Sequence, residues 1–225
     1  MELTEFMRKL RERSVESFEN GICVLMESTE EEDVNFALSL SNERYDDVCS
    51  ELVRKTASTT TLKIFAKSDH WCIRVSVAEN TKTPKEVLMQ LAKDDEWQVR
   101  EAVAENARTP KEVLEQLSRD DEWQVRKAVA KRSSNVTLVE VLSELAKDKS
   151  DGVREAVAEN AHTPKEILLK MAEDEDRWVR QGIADNLNAP TEALIKLAKD
   201  NDEVIRNIAV GILKYRQMDE EEVTL

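Results

Sequence analysis

Apolar residues in this chain come in short blocks at helical spacing, each closed by an acidic break. After Thr83 they fall at Val87, Leu88, Leu91 and Ala92, which predicts a short amphipathic helix ending near Asp94. In the following block Val99, Ala102, Val103 and Asn106 share one face at i, i+3, i+4 and i+7, which predicts a second helix with that side buried. The two-helix pattern then returns. DDEWQVR is spelled at Asp94 to Arg100 and again at Asp120 to Arg126. Aligned on that arginine, the period gives Arg74, Arg100, Arg126, Arg154, Arg180 and Arg206, spaced by 26, 26, 28, 26 and 26 residues, each preceded by Val or Ile. A fixed period of this length marks a solenoid, in which each unit hides its apolar face only against its neighbours.

Start and stop signals divide each unit into a helix A and a helix B. Thr83-Pro84-Lys85-Glu86, Thr109-Pro110-Lys111-Glu112 and Thr163-Pro164-Lys165-Glu166 predict Thr as the N-cap of helix A, Pro at its first position and Glu closing a capping box. Thr137-Leu138-Val139-Glu140 keeps the box without the proline. Helix B follows an acidic turn such as Asp94-Asp95-Glu96, whose carboxylates favour the positive end of the helix dipole. Asn80, Asn106, Asn160 and Asn186 are expected to end helix B, in the left-handed conformation or by bonding exposed carbonyls.

The segment before the repeats lacks the period. Leu3, Phe6, Met7 and Leu10 suit an amphipathic helix, and Val34, Phe36, Ala37, Leu38 and Leu40 suit a degenerate unit. A capping element is expected there, because the open end of a solenoid exposes core. At the other end Ile208 to Tyr215 completes the last helix B, and Asp219-Glu220-Glu221-Glu222 is expected to leave the fold.

VREAVAENARTPKEVLEQLSRD at Val99 to Asp120 and VREAVAENAHTPKEILLKMAED at Val153 to Asp174 resemble HEAT-like repeats, and more closely the variant leucine-rich repeats, whose units look like VRxAVAxNxxTPxExLxxLAxD. The resemblance spans about Thr59 to Tyr215. It implies an all-α fold: a right-handed α-solenoid of about six helix-pair repeats over residues 59–217, with an N-terminal helical cap and degenerate repeat over 1–58 and an acidic tail over 218–225. It also implies an ion-pair ladder in which the aspartate six residues before each arginine takes part: Asp94, Asp120, Asp148, Asp174 and Asp200, with Ser68 in the first position. The arginines are therefore assigned to structure. On function the resemblance is silent.

Composition narrows the classes of activity. Four Gly and four Pro, with 36% charged and 4% aromatic residues, match a mostly helical chain. The charged N-terminal stretch holds no unbroken apolar run, and no segment reaches the ~18 apolar residues of a membrane span. A cytoplasmic protein with no membrane partner is expected. Cys23, Cys49 and Cys72 form no CxxC pair, which predicts buried free thiols and no zinc site. His70 and His162 are separate, the acidic turns lack a calcium-loop glycine, and no phosphate loop or nucleophile motif is present. The expectation is a chain with no catalytic residues, metal or cofactor. A net charge of −14 repels nucleic acid, so the partner to expect first is a protein or peptide.

Two features single out binding residues. Trp71, Trp97 and Trp123 occupy equivalent positions opposite the apolar face of helix B, where they either present a row of aromatics to a partner or fold over the turn onto the next unit. The third unit reads AKRSSNVT where others read AEN or ADN. Lys127, Lys131 and Arg132, with Arg126 and the longer loop Ser133 to Val136, make a cationic notch beside Trp123. That notch suits an acidic segment, a phosphate-bearing ligand or a carboxylate, or else reflects drift on a solvated face. The enzyme alternative is similarity to DNA glycosylases built of HEAT-like repeats, which would place Trp97, Trp123, Asp121 and Arg126 in the active site and is disfavoured by the acidic charge. Variant-repeat proteins with an iron–sulfur cluster need clustered thiolates that this chain lacks. The helical-repeat lyases that attach bilins share the fold, but no residue here marks a chromophore site.

Overall fold

The computed structural model describes residues 25–26, 31–41, 46–132 and 139–222. Every regular element among them is an α-helix. The features at Leu3 to Leu10, Cys23, Ser133 to Val136 and Thr137 lie outside the described residues.

Two helices precede the repeats, α1 (Glu31–Ser41) and α2 (Asp46–Lys55). Short A helices then alternate with longer B helices. The pairs are α3 (Thr59–Phe65) with α4 (Trp71–Glu79), α5 (Lys85–Leu91) with α6 (Trp97–Glu105), and α7 (Lys111–Leu117) with α8 (Trp123–Lys131). They continue as α9 (Val139–Leu145) with α10 (Asp151–Glu159), α11 (Lys165–Met171) with α12 (Arg177–Asp185), and α13 (Thr191–Leu197) with α14 (Glu203–Glu222). This is a helix-pair repeat fold of the α-solenoid class. One compact unit ends at Val113 and a second begins at Leu114. Within the first, α2 lies along α4 and α4 along α6; within the second, α8, α10, α12 and α14 follow one another in the same way.

The expected face of helix B is the buried one. Val99, Val103, Val153, Val157, Val179 and Ile183 are fully buried, and so are A-helix residues such as Leu88, Leu168 and Leu194, whose helices pack on the B helices. Each such side chain removed from water contributes roughly 1.5–3 kcal/mol. Because an A helix has only seven residues, it cannot hold itself together and depends on this burial. The degenerate segment behaves likewise: α1 packs on α3, and Val34, Ala37, Cys49 and Val53 are buried. Cys72 is only partly buried.

The junctions between helices differ from the expected capping. Pro84, Pro164 and Pro190 are the N-caps of their helices and offer no side-chain hydrogen bond. The preceding threonine faces backwards instead. Thr83 Oγ1 donates to the Val77 carbonyl, Thr109 Oγ1 to Val103 and Thr163 Oγ1 to Val157, each at 2.6 Å. Each of these carbonyls also accepts the C-cap amide of its own helix, as Val77 does from Asn80 at 3.3 Å, and the buried threonine hydroxyl fills its second acceptor site.

The asparagines are extended, not left-handed, with φ near −65° to −75° and ψ near 120°. Each works in two directions. Asn186 Oδ1 accepts the Asn188 amide at 2.9 Å, while Nδ2 donates to Ala158 and Asn160 carbonyls of the preceding unit at 2.6 and 3.1 Å. Asn160 reaches Ala130 and Arg132 carbonyls, and Asn106 reaches Ala78 and Asn80. Asn80 extends the series to Val53 and Thr56, so the α1–α2 pair is stitched to the repeats as one more unit.

Candidate functional site

The arginine series is a structural ladder. Nη1 of Arg74, Arg126, Arg154 and Arg180 accepts nothing and donates to turn carbonyls of its own unit, as from Arg126 to Asp120 and Asp121 at 2.6 and 3.0 Å. The other edge of each guanidinium grips an aspartate of the next unit. Arg74 holds Asp94 at 2.7 and 2.8 Å, Arg126 holds Asp148 at 2.6 and 2.9 Å, and Arg180 holds Asp200 at 2.7 and 3.2 Å. Arg100 makes the same turn contacts, to Asp94 and Asp95. The aspartates also accept the amide two residues on, as Asp148 does from Ser150 at 2.9 Å, so one carboxylate fixes the turn into helix B and the joint between units.

Electrostatics follow from that geometry. Burial pushes the Asp148 carboxyl up, but the Arg126 hydrogen bonds, the Ser150 amide and the Arg126 charge outweigh it and hold it below its ordinary value. The Asp148 carboxylate in turn holds Arg126 above its own, against desolvation. Arg126 is buried and its donors are spent on Asp148 and the turn, which removes it from the role that the glycosylase resemblance gave it. Asp121 is exposed and gives Arg126 only its carbonyl.

The predicted binding residues are placed as follows. Trp71 and Trp123 are 44% and 43% exposed, and Trp97 is partly buried. Trp123 combines the two readings of the aromatic series: a Cβ built on Gly152 of the next unit would stand 3.4 Å from its Cζ3, so one edge of the ring lies against α10 while much of it stays open to solvent. Lys127 Nζ lies 6.0 Å from the ring centroid and 3.3 Å from Glu155 Oε2. The ammonium therefore stands between an aromatic face and a carboxylate. Lys131, the last residue of α8, is exposed, and Arg132 is partly buried, which pushes its guanidinium below the ordinary value.

Three further residues carry no signal in the repeat pattern, two of them at this surface. Gly152 and Glu155 come from the following unit, and the two-residue insertion before it hid their register with Trp123 and Lys127. Trp178 sits one position later than the other tryptophans relative to its arginine; it is 52% exposed, with the Arg177 guanidinium 4.6 Å from its ring centroid. Among the described residues no cluster of three or more His, Cys, Asp or Glu is arranged to hold a metal, and no helix is long and apolar enough to cross a membrane.

Two comparisons with known proteins give matches. The model of the leucine rich repeat variant family matches residues 97–122 and 151–176. A solved structure, a leucine-rich repeat variant with a novel repetitive protein structural motif, is 22% identical over 83% of this chain and 88% of its own, with a TM-score of 0.39. No curated protein matches.

Proposed function

We propose that this chain of helix-pair repeats, two stretches of which match the variant leucine-rich repeat model, is a non-enzymatic scaffold that binds a protein or peptide through its B-helix surface, with the principal contact at the third repeat. Trp123, Lys127, Lys131 and Arg132 form that contact, and Gly152 and Glu155 of the next unit frame it. The observation that carries the reading is Trp123: a large ring held along one edge by α10 yet 43% exposed, with an ammonium beside it. A rigid aromatic with a cation beside it is the kind of anchor that dominates interfaces. An acidic segment is the partner chemistry that fits, since Lys131 is exposed and Lys127 can exchange Glu155 for an incoming carboxylate.

The test is affinity purification from the native cell with the wild type and with Trp123→Ala combined with Lys131→Glu. Loss of a specific partner from the double variant, with the helical circular dichroism unchanged, supports the site. Recovery of the same partners by both proteins sinks it.

A further inference from the structure

Ion pairs join successive A helices at fixed positions of the repeat: the residue seven before one repeat arginine meets the residue ten before the next. Arg119 Nη2 lies 3.2 Å from Glu144 Oε2, and Lys196 Nζ lies 2.5 Å from Glu173 Oε1. At the junction between these two, where α9 is followed by α11, the same positions hold Lys147 and Lys170. Two ammonium groups stand where the flanking junctions set a cation against a carboxylate, and like charges repel as opposite ones attract.

This junction is open. A trough of about 260 Å³ lies there, lined by Ala146 and Lys147 on one side and by Ile167, Lys170 and Met171 on the other. Met171 is buried, Ala146 and Ile167 are partly buried and both lysines are exposed, which makes an apolar floor under a cationic rim. The two carboxylates that also line it are engaged elsewhere, Glu173 by Lys196 and Asp174 by Arg154 at 2.8 and 3.0 Å. Among the described residues neither Lys147 nor Lys170 pairs with a carboxylate. In a chain of net charge −14 the trough therefore holds two uncompensated cations.

We propose that the trough binds a small monocarboxylate with an apolar body, whose carboxylate bridges Lys147 and Lys170 while the body lies on Met171, Ile167 and Ala146. The chain itself shows the chemistry that these positions accept, since Glu144 and Glu173 supply carboxylates to them at the flanking junctions. Volume sets the size of the body. The space exceeds the ~150 Å³ cavity that admits a benzene ring and falls just short of the ~300 Å³ at which sites for drug-sized molecules begin, so a straight chain of about eight carbons suits it. The site stands on A helices and does not rest on the reading of Trp123.

The probe is sodium octanoate, titrated at neutral pH and constant ionic strength into the isotope-labelled full chain and followed by amide NMR shifts. Sodium acetate, octanol and a blocked Leu-Glu-Leu peptide are titrated beside it. Expected are saturable shifts at the α9 and α11 junction with octanoate, and responses about tenfold weaker or less with the other three. Lys147→Gln and Lys170→Gln each weaken octanoate about tenfold. Lys170→Glu recreates the ion pair of the flanking junctions, so it abolishes octanoate binding and raises the melting temperature by about 1–3 °C, a loss of binding without a loss of fold. Trp123→Ala with Lys131→Glu leaves octanoate binding intact, which separates this site from the one at the third repeat. An equal response to acetate would mean an adventitious ion only, an equal response to octanol an apolar surface with no use for the lysines, and tighter binding of the peptide a groove for a protein; each overturns the proposal. Octanoate binding that survives Lys170→Glu, or no saturable shift at millimolar octanoate, overturns it as well.

Discussion

Arg154 grips Asp174 across a repeat boundary with two parallel hydrogen bonds, Nε to Oδ2 at 2.8 Å and Nη2 to Oδ1 at 3.0 Å, and both side chains are only 11% exposed. A pair this dry is strong evidence of a fixed joint and weak evidence of net stabilisation, because desolvation offsets most of the attraction. Breaking one side is another matter. Asp174→Asn leaves a buried guanidinium uncompensated and is expected to cost about 3 kcal/mol in urea denaturation followed by circular dichroism. Replacing both partners, Arg154→Met with Asp174→Leu, is expected to recover most of that loss. Equal losses in single and double variants would show that the joint depends on more than the pair.

The same ladder sets an acid limit. Asp148 and Asp200 are each pushed up by burial, and this is outweighed by the hydrogen bonds from Arg126 and Arg180 and from the Ser150 and Asp202 amides, so both sit below the ordinary value of 3.8. A carboxylate whose folded value is depressed contributes stability that is fully present above its unfolded value and is lost as pH falls through the folded one. Their contribution is thus constant from pH 7 to about 5 and falls away below about 4. Asp148→Asn should lower the melting temperature at pH 7 and make its decline below pH 4 shallower than in the wild type. An unchanged acid profile in the variant would assign the decline to other groups.

Position by position, the sequence disclosed what repeats and hid what crosses between repeats. The buried face of Val99, Val103 and their equivalents was legible because hydrophobic burial imposes a period on side chains. Asn186 and Thr83 were read as local punctuation because their partners are backbone carbonyls, which leave no mark in the sequence. Lys127 belongs to a basic notch by sequence, since nothing in its own unit shows that Glu155, 28 residues on, stands beside it. Trp178 escaped because a one-residue offset took it out of register with Trp71, Trp97 and Trp123.

The asparagine series yields its own expectation. Asn186→Ala withdraws both donors from the buried bonds to the Ala158 and Asn160 carbonyls and the acceptor from the part-buried Asn188 amide. Unsatisfied buried groups cost about 1–3 kcal/mol each, so a loss of roughly 3 kcal/mol is expected. Asn186→Asp has the same shape but turns a carboxylate oxygen toward two carbonyls, and its loss should exceed that of alanine at pH 7. If both variants melt like the wild type, the bridges are incidental.

Three glycines on B helices separate local propensity from packing. Gly in a helix interior is about 1 kcal/mol worse than Ala, so each replacement gains something before contacts are considered. At Gly211, exposed and with nothing within 4 Å of the new methyl, the gain should appear nearly whole, at about 1 kcal/mol. At Gly152 the methyl meets Trp123 Cζ3 at 3.4 Å, an ordinary contact near the helix start, and the net effect should lie within ~0.5 kcal/mol of zero. At Gly182 it stands 3.2 Å from Ala158 Cβ and 3.3 Å from Glu159 Cγ, where two helices must part to admit it. Overpacking of this kind costs about 1–3 kcal/mol, more than the propensity returns. The expected order of melting temperatures is therefore Gly211→Ala above Gly152→Ala above Gly182→Ala, and a stabilised Gly182→Ala would mean that the α10–α12 joint is looser than these distances describe.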